Sequence, residues 1–197
     1  MKAISVYICS LVLVFSNFWI NNAASAQFGE THTSGGDAVE VDDGVSIPVV
    51  PCTVRYVQAH SVHHPDLTMP ITCYLITSDS QRDGISKVFG GIYDHTKMRW
   101  VPHYFDDDAS LLAAGSAIYQ ISNGKINGFA RTANEVTGDY YKRVKFFDFC
   151  LFSSDKAICG HSEIMKVSDP KPNELSRALK ALRGVIYIGP KLPSSTD

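Results

Sequence analysis

Three histidines and an aspartate fall within seven positions in the stretch HSVHHPD, where His60, His63, His64 and Asp66 stand in a chain that has seven histidines in all. Imidazoles and carboxylates at that density raise the question of a metal site. In an extended segment His60, Val62 and His64 share one face with His63 opposite, and His95 or His103 could join Asp66 to complete a ligand set. The spacing argues the other way. It matches no helical HExxH pattern and no cysteine-rich zinc pattern, and Pro65 favours a turn over a rigid ligand platform. The sequence therefore assigns His60, His63, His64 and Asp66 to a displayed recognition loop, with no metal and no other cofactor expected.

Other chemistry-bearing stretches resolve in a similar way. The run Asp106, Asp107, Asp108 lacks the alternating acids and distal glutamate of a calcium loop, and Asp108 suits the N-cap of a short helix. No serine sits on a G-x-S-x-G elbow, because AGSAIY around Ser116 lacks the second glycine and opens a strand. Gly90 and Gly91 in KVFGGIY read as a strand bend, since no helix follows them to hold a phosphate. The basic and aromatic stretch YYKRVKFFDFCLF alternates as a strand, with Phe147, Phe149 and Leu151 on one face and Phe146, Cys150 and Phe152 on the other. A strand apolar on both faces belongs in the middle of a sheet. Its charged start, Lys142, Arg143 and Lys145, falls near the rim, where Lys142 and Arg143 are expected to meet an acidic partner. No catalytic residue is assigned.

The elements that position these residues follow from the rest of the chain. Residues 1–26 read as a secretory signal, with Lys2 as the only charge, an apolar run, and Ala24, Ser25 and Ala26 as a small-residue cleavage site. Cleavage leaves 171 residues, the size of one domain. The remaining four cysteines, Cys52, Cys73, Cys150 and Cys159, form an even set, as expected of an exported protein in an oxidising compartment. A four-residue loop over residues 153–156 would set Cys150 opposite Cys159 in an antiparallel pair, close enough to bridge, and elimination then pairs Cys52 with Cys73. Residues 27–46, acidic and poor in apolar side chains, read as a disordered leader, and residues 193–197 as a flexible tail.

Between them, residues 47–192 form one disulfide-stabilised domain. Its strands are expected over 54–59, 71–77, 87–93, 98–105, 116–121, 126–132, 140–152 and 157–165, all rich in β-branched and aromatic residues. Asn123-Gly124 suggests a two-residue hairpin turn that sets Ile121 opposite Ile126. A short helix over 109–114 and a C-terminal helix capped by Asp169 or Asn173 and ended by Gly184 complete the set, followed by a last buried strand over 185–189. The fold class is thus mainly β, a β-rich α+β antiparallel meander closing as a sandwich or a barrel. The net charge of −2 gives no reason to expect nucleic acid as a partner. These features imply a periplasmic or secreted binding protein, inhibitor-like or immunity-like, that caps a protein partner and has no stable membrane insertion after signal cleavage. The alternatives are an extracytoplasmic hydrolase with dispersed acids and histidines, and a small-ligand carrier in a β-barrel.

Overall fold

The computed structural model describes residues 28–33, 36, 38–41, 44–57, 69–104 and 115–189. In chain order these form β1 (Phe28–Thr33), β2 (Val39–Val41), β3 (Val45–Ile47), β4 (Cys52–Val57), β5 (Thr72–Leu75), α1 (Asp79–Val88), β6 (Gly91–Asp94), β7 (Arg99–Pro102), β8 (Ala117–Ser122), β9 (Asn127–Asn134), β10 (Val144–Ser153), β11 (Lys156–Lys166), α2 (Pro172–Arg183) and β12 (Ile186–Gly189). The main sheet has five strands in the order β5-β11-β10-β9-β8, and a second sheet has the order β1-β4-β12. All of their pairings are antiparallel. Two separate hairpins, β2-β3 and β6-β7, complete the set. The main sheet is open, with β5 and β8 at its edges, so the architecture is layered and not a closed barrel.

β10 is the central strand of that sheet, as its two-sided apolar alternation requires. Phe147, Phe149 and Leu151 pack on one face with Val54 of β4 and with Ala178, Leu179 and Leu182 of α2. Cys150 and Phe152 pack on the other with Val41 and Ile47 of the β2-β3 hairpin, Ile85 of α1 and Trp100 of β7. Each fully buried phenylalanine, including Phe129, Phe147 and Phe149, contributes roughly 1.5–3 kcal/mol of burial. The β6-β7 hairpin is tied to β8 by Gln120, whose side-chain amide accepts from Trp100 N at 2.9 Å and donates to Trp100 O at 2.8 Å.

Both expected disulfides form, the Cys150–Cys159 bridge that register implies and the Cys52–Cys73 bridge that elimination implies. Cys150 lies opposite Cys159, with Phe152 opposite Ala157, and the pair is bridged with Cα atoms 4.1 Å apart. Cys52 of β4 is bridged to Cys73 of β5 with Cα atoms 6.2 Å apart, which ties the two sheets together. The β10-β11 loop is two residues shorter than the sequence suggests, because Ser153 also pairs with Lys156. Its first residue, Ser154, is held at φ 54°, in the left-handed region that favours glycine. Ser154→Gly is therefore expected to raise stability by about 0.5–1 kcal/mol, read as a higher denaturant midpoint with an unchanged slope. A lower midpoint would show that the serine side chain outweighs the backbone strain.

Several elements differ from the sequence reading. Residues 79–88 form a helix where a strand was expected to begin at Lys87. Ser78 caps that helix by accepting from Gln81 N at 3.2 Å. Gly90 stops it at φ 75° with its N–H donating to Lys87 O, so the glycine pair marks a helix end and not a strand bend. The β8-β9 hairpin closes through residues 123–126, with Ile121 opposite Gly128. This shift of two residues keeps every side chain on its expected face, since a strand has period two. Asn123 shapes the turn by accepting from Lys125 N and Ile126 N through Oδ1. Within residues 27–46, expected to be a disordered leader, residues 28–33 pair with β4, and residues 39–41 and 45–46 form a hairpin with Ile47 in which Val41 and Ile47 are buried. α2 begins after Lys171, with Pro172 in its first turn and no side-chain cap, and neither Asp169 nor Asn173 caps it. β12 is an edge strand with Ile186 and Ile188 about half exposed, whereas the sequence suggested a buried strand. The signal, the short helix over 109–114 and the tail lie outside the described residues.

Candidate functional site

His60, His63, His64 and Asp66 lie outside the described residues, as do Asp106, Asp107 and Asp108. Lys142 and Arg143 are placed in the connection between β9 and β10. That connection is tightly organised. Lys142 N and Arg143 N both donate to Asp139 O, and Tyr141 N donates to Asp139 Oδ1 at 3.2 Å. The Arg143 guanidinium donates to Gly138 O through Nε at 3.1 Å and Nη2 at 2.9 Å, so it braces the turn from within. Val167 N donates to Arg143 O and Ser168 Oγ to Tyr141 O, anchoring the turn to the segment after β11. The result is a fixed tip that presents Tyr140, Tyr141 and Lys142 together. The two tyrosines are 52 % and 74 % exposed, with ring centroids 5.7 Å apart in an edge-to-face pair. Lys142 is exposed and makes no ion pair among the described residues.

Lys145, expected at the rim with Lys142 and Arg143, turns inward. Its ammonium donates to Gly115 O at 3.4 Å and to Asn134 Oδ1, and burial pushes its pKa down from the usual lysine range. It therefore joins β10 to β9 and to the segment before β8, and among the described residues Lys142 is the tip lysine that makes no ion pair.

A polar cluster that sequence reasoning missed sits on the opposite face of the same strand. Asp148 is directly opposite Arg131 of β9 and His161 of β11, so one carboxylate serves both neighbours. Arg131 donates to Asp148 Oδ2 through Nη2 at 2.8 Å and Nε at 3.3 Å, and to His103 O through Nη1 at 3.2 Å. His161 Nδ1 lies 2.6 Å from Asp148 Oδ1, with the Phe146 ring beside the imidazole. An ionised carboxylate can only accept, so Nδ1 is the donor of that bond. Gly90 makes room for the guanidinium, since a Cβ there would lie 2.1 Å from Arg131 Cζ. Asp148 is 6 % exposed, whereas the His161 side chain is 55 % exposed. The cluster is therefore a buried Arg–Asp pair with an imidazole oriented at its edge. The described residues hydrogen-bond no hydroxyl or thiol to that imidazole.

Among the described residues no group of three His, Cys, Asp or Glu stands together as a cation site. Also among them, no helix is long and apolar enough to cross a membrane. Compared with protein-family models, curated proteins and solved structures, the chain matches none of them.

Proposed function

We propose that this is an exported binding protein that caps a protein partner through the tip of the β9-β10 connection. The observation that supports this reading is the joint exposure of Tyr140 and Tyr141 beside Lys142 on a turn already fixed by its own hydrogen bonds. Large aromatic side chains at the centre of an interface supply most of its binding energy, and a preordered loop loses little entropy on docking. Lys142 adds a charge suited to an acidic partner, which speeds encounter more than it deepens affinity. Two disulfides in the domain fit an oxidising compartment, where such a protein would meet its partner.

The test is affinity capture by the full chain from the native extracytoplasmic fraction, run beside a Tyr140→Ala/Tyr141→Ala variant. Capture that depends on the tip is expected to weaken by a factor of about 30 or more, the equivalent of one hot spot. Lys142→Glu is expected to slow association at low salt and to leave dissociation nearly unchanged. Equal retention by wild type and the double alanine variant would remove the tip from the function.

A further inference from the structure

A groove of about 430 Å³ lies beside β12, between the β8-β9 turn and the end of α2. It is bordered by Lys125 and Ile126 of the turn, by Arg183 of α2, and by Ile186 and Tyr187 of the strand. Asn123 fastens the two sides together, because its Nδ2 donates to Arg183 O at 3.2 Å and to Val185 O at 3.1 Å. The groove is therefore held in shape by the fold itself.

Two independent properties meet there. Among the described residues β12 pairs with β4 alone, so its outer edge has no strand beside its backbone N–H and C=O groups. Ile186 and Ile188, two positions apart and so on one face, are 52 % and 49 % exposed. An open edge with apolar side chains is the element to which an extended segment adds. The second property is charge. Neither residues 109–134, which include the turn, nor residues 175–196, which include the end of α2 and β12, hold an aspartate or a glutamate. Lys125 and Arg183 are exposed, and neither is ion-paired among the described residues. Asp155, on the adjoining β10-β11 turn, is matched by Lys156 at 3.2 Å.

We infer that this groove docks an extended acidic segment of a partner protein, which adds to the outer edge of β12 as a further strand. Its main chain bonds the edge, its apolar side chains meet Ile186 and Ile188, and its carboxylates meet Lys125 and Arg183. Four residues of edge offer few main-chain bonds, so the charges set the specificity. A second copy of this chain lacks the matching charge, since its own β12 is flanked by Arg183 and Lys191 and by no acid. The groove borders Ser153 at the end of β10, whereas the Tyr140–Lys142 tip precedes Val144 at its start, roughly 30 Å away along the strand. The inference is thus independent of the tip.

The probe is a random decapeptide library displayed on phage and selected on the full chain, with the selected peptides titrated against protein labelled at its isoleucine methyl groups. These peptides are expected to combine apolar residues with aspartate or glutamate and to shift the Ile186 and Ile188 resonances saturably. Lys125→Glu/Arg183→Glu is expected to weaken binding about tenfold or more at low salt, and Ile186→Lys/Ile188→Lys to do the same. All four side chains are exposed, so both variants should keep the circular dichroism spectrum of the wild type. Tyr140→Ala/Tyr141→Ala is expected to leave the peptide affinity unchanged, which separates a failure here from a failure at the tip. Selection of no peptide that shifts the two isoleucines overturns the inference. So do selected peptides without acidic residues, affinity that survives Lys125→Glu/Arg183→Glu, or affinity lost in the tip variant.

Discussion

Asp148→Ala is expected to lower the free energy of unfolding by about 3–5 kcal/mol, the range for breaking a buried ion pair by removing one partner. The loss comes less from the attraction given up than from what remains. The Arg131 guanidinium, 18 % exposed, would keep its charge with no carboxylate beside it. His161 also loses the only side-chain hydrogen-bond partner it has among the described residues, but its imidazole is more than half exposed and can turn to water. His161→Ala is accordingly expected to cost about 1 kcal/mol or less. The variant Arg131→Leu/Asp148→Leu separates these terms. Replacing both charges with apolar groups removes the stranded cation, so the double variant should be more stable than Asp148→Ala. Denaturant unfolding of the three proteins measures the differences. A double variant no more stable than Asp148→Ala would locate the loss in packing at the sheet face and not in charge.

The cluster also shows how far the sequence could be read. The cysteine register that sets Cys150 opposite Cys159, carried two residues further along the same strands, sets Asp148 opposite His161. That half of the cluster was legible from the sequence. The Arg131 half was not, because β9 and β10 are joined by a connection of nine residues whose length fixes no register. The tip itself is half legible, since the YYKR composition is plain to read but the Asp139 turn that exposes the tyrosines depends on backbone geometry.

α1 escaped for a different reason. It carries few apolar residues and a glycine in its middle, and interior glycine lowers helix propensity by about 1 kcal/mol. Gly84 is there for packing, because a Cβ would lie 2.5 Å from Val41 Cγ2 of the β2-β3 hairpin. The readable signal was Ser78 with Gln81 three residues later, a capping-box spacing. Gln81 reaches Thr77 N through Oε1 and Ser46 O through Nε2, so the same residue starts the helix and fastens the hairpin. The hairpin in turn was hidden by averaging. The acids of the leader mask the alternation Val39, Val41, Val45, Ile47, which has the period of a half-buried strand pair, with Gly44 at φ 69° between its two halves. Composition over twenty residues and periodicity over nine gave opposite answers, and the packed face followed the periodicity.

Removing Cys52–Cys73 is expected to destabilise the protein more than removing Cys150–Cys159, even though the second bridge lies deeper in the main sheet. The two bridges span sequence separations of 21 and 9 residues. Restricting the unfolded chain over loops of these sizes corresponds to ~3.3 and ~2.6 kcal/mol in the chain-entropy model. The native states widen that gap. Cys150 and Cys159 sit at one rung of a ladder whose other rungs, from Val144 to Ser153, are hydrogen-bonded without them. Cys52 and Cys73 join β4 to β5, strands of different sheets, beside the backbone bonds from Val50 N to Cys73 O and from Leu75 N to Pro48 O. Double alanine variants of each pair, unfolded in denaturant, should therefore rank with Cys52→Ala/Cys73→Ala the less stable. All four sulfurs are buried, so both variants also lose packing, and the comparison between them cancels most of that shared term. The opposite ranking would mean that the three-stranded sheet stays docked without its covalent tie, and that burial of Val54 under α2 and β10 suffices to hold the two sheets together.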